Sequence, residues 1–347
     1  MKNFMTWTLC VALLLVLPAT GLISNHAKGS EAASFSLATS STGSVPYIIS
    51  VGIADLITRD TGINISVQSF GGSDASARAV RDKHMLLAMV NTPTAYNSFH
   101  GEVQFAREKP AASLRLLLQG NLTPRYLVVR ESAGINSFQD LAGKTIVGRR
   151  PSLADIAAVA NAYFQLGGLE EKDVKVVETT ESNEALNALR SGAVAGIVNP
   201  TNPTAAAFQQ VARAVPLVIL ALTEEQVKAP AIQALFKKGF TLMTLKTGSH
   251  KLRNATGIIK AGPVLATRMA IMAGKDLPDE IAYKMVMSVH KNQDQLKSIH
   301  ALARQWTVKN TLDNPPIPFH GGAVKAFKEI GVWNDKLDRL QSSEPGN

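Results

Sequence analysis

The stretch Ser36-Leu-Ala-Thr-Ser-Ser-Thr-Gly-Ser-Val-Pro-Tyr-Ile-Ile-Ser-Val-Gly-Ile-Ala-Asp-Leu-Ile57 opens as an apolar strand. It loosens into six small or hydroxyl residues, Thr39 to Ser44, and then becomes an apolar helix. A strand that feeds a helix through such a turn is the start of a parallel α/β unit. The helix N-terminus offers unpaired amide N–H groups and the positive end of the helix dipole, a setting suited to an anion.

The same alternation continues along the chain. Ile63–Gln68 and Leu86–Val90 read as strands, followed by Leu114–Leu118 and Tyr126–Arg130. Lys144–Val147 precedes a helix over Leu153–Leu166 that Gly167-Gly168 stops. Val174–Glu178, a helix over Asn183–Arg190, Ala195–Val198 and Leu217–Leu222 extend the pattern, and the chain beyond Pro278 reads as mostly helical. Strands with β-branched apolar cores, separated by helices, predict parallel α/β sheets. Gly120-Asn-Leu-Thr-Pro124 reads as a turn-rich connector between two lobes, and the segment after Leu222 as the way back. The expected organisation is a leader over 1–29, a first lobe over 30–123 and 226–347, and a second lobe over 124–225.

Composition narrows the functional classes. The chain has 347 residues, 46% apolar and 18% charged, which is the balance of a folded globular protein. Its net charge of +9 is spread without a basic run or basic–aromatic interleaving, so the reading is an acidic small-molecule partner and no nucleic acid. Met1-Lys2, the apolar run Thr6–Leu17 and the small-residue exits Ala19-Thr-Gly21 and Ala27-Lys-Gly29 have the layout of a secretory signal peptide. A retained anchor is the alternative. The single cysteine, Cys10, lies in that leader, so a processed chain has no disulfide, no Cys-ligated metal and no Cys nucleophile.

Several chemical motifs fail on inspection. Ala142-Gly-Lys-Thr145 ends like a phosphate loop, but Phe138 occupies the place of the first glycine. Gly71-Gly-Ser-Asp-Ala75 lacks the closing glycine of a nucleophile elbow. The seven histidines form no short ligand pair, and Ser288-Val-His-Lys291 sits in an apolar-periodic helix. The expectation is therefore a protein with no enzymatic role, no cofactor and no metal.

Polar loops at strand ends remain. In parallel sheets these ends face a common crevice. The loops supply Ser40, Thr42, Gly43 and Tyr47 after the first strand, Gly72 and Ser73 after the second, and Asn91 and Thr92 after the third. Arg149, Arg150 and Ser152 precede the middle helix, and Asn202 completes the candidate set. Hydroxyls, amide N–H groups and guanidinium suit a carboxylate. Each group also has a plainer role. The alternatives are Ser152 with Asp155 as a capping box, Gly71-Gly72 as a plain chain turn, Tyr47 as a core aromatic, and Arg149 and Arg150 as surface charges.

The chain resembles, over nearly its full length, the solute-binding receptors of the TAXI branch of tripartite ATP-independent periplasmic (TRAP) transporters. The strings that carry this are Thr39-Ser-Ser-Thr-Gly-Ser-Val-Pro-Tyr-Ile48, Ser69-Phe-Gly-Gly-Ser73 and Ala88-Met-Val-Asn-Thr-Pro-Thr-Ala-Tyr96, with Ser132-Ala-Gly-Ile-Asn-Ser-Phe-Gln-Asp-Leu-Ala-Gly-Lys144 and Pro316-Ile-Pro-Phe-His-Gly-Gly-Ala323. The resemblance implies a monomeric, two-lobed periplasmic-binding-protein fold of type II-like topology, with a ligand cleft between the lobes. It also implies capture of a small organic anion, such as glutamate or a di- or oxo-carboxylate, and delivery to TRAP membrane subunits. A binding protein of an ATP-driven importer or of a sensor shares that fold. Where the family has Pro-Pro-Gly-Ser-Gly-Thr, this chain has Arg149-Arg-Pro-Ser-Leu-Ala154, so charge replaces backbone cradling there.

Overall fold

The computed structural model describes residues 34–343; the expected leader lies outside the described residues. The chain runs β1 (Ser34–Thr39), α1 (Val45–Thr61), β2 (Asn64–Ser69), α2 (Ser73–Arg81), β3 (Leu87–Asn91) and α3 (Thr92–His100). It continues through β4 (Leu114–Arg130), β5 (Thr145–Arg149), α4 (Asp155–Leu166), β6 (Lys175–Glu178), α5 (Ser182–Ser191), β7 (Gly196–Asn199) and β8 (Leu217–Leu220). Then come β9 (Phe240–Lys246), β10 (Lys251–Asn254), β11 (Gly257–Ile258) and β12 (Ala261–Gly274), followed by C-terminal helices.

Two sheets form two α/β lobes. In the first, β2, β1 and β3 are parallel, and β12 lies antiparallel between β3 and β4. In the second, β6, β5 and β7 are parallel, and the far half of β4 lies antiparallel between β7 and β8. β10 and β11 extend it. The period of two along β4 serves the second sheet directly: Leu127 and Val129 enter one core with Ile146 and Phe164, while Tyr126 and Val128 enter another with Ile197 and Phe208. The first lobe has its own core, including Leu37, Ile53, Val90, Leu116, Ile271 and Phe327.

β4 and β12 carry the chain between the lobes, side by side. Residues 114–125 of β4 pair with β12, and residues 126–130 pair with β7 and β8. The connector expected at Gly120–Pro124 is therefore not a turn but the middle of a 17-residue strand. Its turn residues are tolerated because its far side meets side chains instead of another strand. There the N–H of Gln119 donates to Thr311 Oγ1 and that of Leu122 to Gln305 Oε1. Pro124 needs no partner on that side. The return, expected near residue 226, lies later: Phe240, Leu252 and Leu265 are still buried in the second lobe's cores, and β12 reaches β3 only from Met269 onward. The register of β12 against β4 shifts between Arg268 and Ala270, at the point of crossing.

Candidate functional site

A cleft of about 370 Å³ lies where strand ends of both sheets meet the two crossing strands. From the first lobe come Ser40, Ser44 and Gly72, and from the second Ser152, Ser182 and Asn202. Five helices begin after these strands, α1 to α5. Ser44 caps α1 and Asn91 caps α3 through their side chains. Among the described residues, α2, α4 and α5 start with no side-chain cap, which leaves N–H donors at their first turns. The loop of Pro200–Asn202 is held by Tyr126, whose hydroxyl donates to the Thr201 carbonyl at 2.9 Å and accepts from Asn199 Nδ2 at 2.7 Å.

Charge in the cleft is concentrated on two arginines in different states. Arg125, on β4, is buried and wholly engaged: its Nε and Nη2 each lie 2.7 Å from Asp155 Oδ2, and Nη1 donates to the Pro124 carbonyl at 2.9 Å. Both partners are almost fully buried, at 2% and 1% exposure. Asp155 Oδ1 is buried without a hydrogen-bond partner among the described residues. Arg150 is held by the hydroxyls of Ser152 (3.2 Å) and Ser182 (2.7 Å), and its Nη2 donates to Glu181 Oε2 at 3.0 Å. Its side chain is 15% exposed, whereas that of Glu181 is 72% exposed. Burial holds the Arg150 proton less firmly than usual; Glu181 opposes that effect, the nearby Arg125 adds to it, and Asp155 opposes it.

The lobes touch across the cleft. Gly72 takes φ +147°, which side-chain-bearing residues rarely adopt, and a Cβ there would lie 3.0 Å from the Ser152 carbonyl oxygen. Asn91 Nδ2 approaches Asp155 Oδ2 at 3.5 Å. Behind this contact, buried Asp74 accepts from the Thr94 hydroxyl (2.7 Å) and Gln104 Nε2 (2.8 Å) on Oδ1, while Oδ2 has no partner among the described residues. Burial raises the Asp74 carboxyl above its ordinary range, against those two hydrogen bonds.

Of the twelve residues singled out from the sequence, Ser40, Gly72, Ser73, Asn91, Arg150, Ser152 and Asn202 line the cleft. Thr42, Gly43, Tyr47, Thr92 and Arg149 are not among its lining residues. Thr92 is buried and donates to the Gly239 carbonyl at 2.6 Å, bracing the lobes behind the cleft. Arg149 is half exposed and pairs with Glu171. Thr42 and Gly43 are exposed on the outer turn, and Tyr47 is half-buried on α1. Ser152 does not cap α4; Ala154 holds that position, and Asp155 turns to Arg125 instead. Sequence reasoning missed Arg125, Asp155, Glu181, Ser182, Asn121 and Thr123. An arginine at the head of the apolar run Tyr126–Val129 demanded a buried partner. Thr179–Ser182 follows β6 and obeys the same strand-end rule that selected the other loops.

Two α/β lobes, joined by two strands over a polar cleft, define a two-lobed binding-protein fold of type II-like topology. The chain belongs to the NMT1-like family, whose model matches residues 37–331. Among solved structures it is similar to a protein from Bordetella bronchiseptica RB50 (16% identity, 87% of this chain and 90% of that one, TM-score 0.48). It is also similar to a putative L-cystine ABC transporter protein from Listeria monocytogenes (14%, 82% and 99%, TM-score 0.46). A third is the alkanesulfonate-binding protein from Xanthomonas axonopodis pv. citri bound to MOPS (13%, 88% and 95%, TM-score 0.43). At these identities and scores, none of the three bears on the ligand of this chain. No group of three metal-ligating side chains occurs among the described residues, and no helix among them is long and apolar enough to cross a membrane.

Proposed function

We propose that this protein is a periplasmic solute-binding receptor that captures a small organic anion in the interlobe cleft and delivers it to a membrane importer. The observation that carries the reading is Arg150, a largely buried guanidinium fixed by two hydroxyls in a cleft whose walls come from two lobes. A planar fork held in this way matches a carboxylate or sulfonate through parallel hydrogen bonds. The uncapped starts of α2, α4 and α5 add oriented N–H groups to the same walls.

The importer is the finer question. The loop strings resemble the TAXI receptors, but the family that matches is NMT1-like, which weakens the case for a TRAP partner. An ATP-driven importer is the reading placed first, and a TRAP transporter the second. A thermal-shift screen of small carboxylates and sulfonates tests the receptor, because a ligand bound only by the folded state stabilises it by about 2.7 kcal/mol at a hundred times Kd. Uptake into proteoliposomes carrying the cognate membrane subunits then separates the partners. Dependence on internal ATP supports the first, and dependence on an ion gradient without ATP supports the second.

A further inference from the structure

We infer that Glu181 is an exchangeable counter-ion for Arg150, and that the cleft selects solutes carrying a single anionic group on an aliphatic body. This deepens the receptor reading and rests on it. Among the described residues three charged side chains line the cleft, Arg125, Arg150 and Glu181, and buried Asp155 lies behind the lining against Arg125. Arg125 and Asp155 neutralise each other in full burial, so neither has charge to offer. Arg150 and Glu181 form the other pair, but unevenly. The guanidinium is 15% exposed and anchored to Ser152 and Ser182, while the carboxylate is 72% exposed and holds one contact. Exposed ion pairs contribute little, and a released Glu181 is readily rehydrated. A carboxylate or sulfonate of the solute can therefore take its place on Arg150 at small cost.

A second anionic group finds no second cation. It would meet Glu181, which still lines the cleft, while the charge of Arg125 is already taken by Asp155 behind the wall. Dianions are thereby disfavoured, since like charges at short range oppose each other even when partly screened. The apolar part of the wall includes Val45, Pro46, Leu122, Leu153, Met269 and Leu302, beside the hydroxyls and amides of the loops, with no aromatic ring among the described lining residues. That surface suits an aliphatic chain, and offers no stacking platform for a planar ring.

Calorimetry on the processed protein tests this with three matched sets of probes. These are linear and branched C3–C8 monocarboxylates and monosulfonates, the corresponding α,ω-dicarboxylates, and the corresponding primary amides. The tightest probes are expected among the monoanions, with the matched dicarboxylate and amide each at least about tenfold weaker, a difference of about 1.4 kcal/mol. Glu181→Gln is expected to strengthen the best monoanion about three- to tenfold by removing the internal competitor, and Arg150→Ala to weaken it tenfold or more. A dicarboxylate or amide binding best overturns the inference and leaves the receptor reading intact. Weaker monoanion binding in Glu181→Gln also overturns it, because Glu181 would then support the Arg150 site instead of competing for it. If only neutral or cationic solutes bind, the inference fails together with the anionic-solute reading, and only solute capture in the cleft stands. Failure of a broad library of anionic, neutral and cationic solutes overturns the receptor reading itself.

Discussion

At the scale of single residues, the site depends on how buried charges are compensated. Asp155 is the carboxylate paired with Arg125, and both are sealed from water. Asp155→Ala leaves a buried guanidinium without a counter-charge, and urea denaturation should show a loss of about 3–5 kcal/mol. The double change Arg125→Met with Asp155→Leu should cost far less, since no unpaired charge remains. Asp74 has the opposite character. Its raised carboxyl means that the folded state favours the protonated form, so its contribution is present below the ordinary aspartate range. That contribution is lost as pH rises through the raised native value. Asp74→Asn, which retains a neutral group of the same shape, should therefore raise the unfolding midpoint near pH 7. The gain should shrink towards pH 3, as a melting series across that range would reveal. These environments explain what the sequence could and could not disclose. Hydroxyl loops are visible because their composition is unusual, whereas the partner of Arg125 lies 30 residues away and is chosen only by folding.

Among the elements, β4 is the most informative. Its central residues have turn chemistry, yet they remain extended because the C-terminal segment closes over them. A Cβ on Gly120 would lie 2.3 Å from the ring of Trp306, which is fully buried. Asn121 Oδ1 accepts from Trp306 Nε1 at 3.1 Å, and Gln119 Nε2 donates to the carbonyls of Thr311 and Asp313. Gly120→Ala has no room to adjust, and should destabilise the protein by about 1–3 kcal/mol, as overpacked sites do. Chemical denaturation would detect it, and a neutral effect would show that the strand can move away from the ring. Local propensity alone reads Gly120–Pro124 as a loop. The contacts that reverse this reading come from residues 305–313, some 190 positions later, beyond any sequence window. The strands and helices of the two α/β halves were legible because each carries its own apolar period. The return crossing was not, because β12 runs through Thr267-Arg268 as one extended strand, with no glycine or proline at Thr267–Ala270 to mark it.

For the whole molecule, two lobes with separate cores, joined by paired strands and by polar contacts such as Thr92 to Gly239 behind the cleft, can change their mutual angle at modest cost. Contacts across the cleft are few: Gly72 against Ser152, and the 3.5 Å approach of Asn91 to Asp155. Small-angle scattering should record a smaller radius of gyration at saturating solute than without it, and an unchanged profile would exclude lobe closure. The packing of Trp306 on Gly120 gives this motion an optical readout. An indole wedged against a bending strand, with its Nε1 proton on Asn121, changes its surroundings whenever the lobes turn. Trp333, packed 6.5 Å from Phe327 and donating to Asp338, sits on the C-terminal helices away from the crossing and should stay constant. Excited at the red edge of tryptophan absorption, the protein should report solute capture through its own emission. Trp333→Phe should retain that signal, and Trp306→Phe should abolish it.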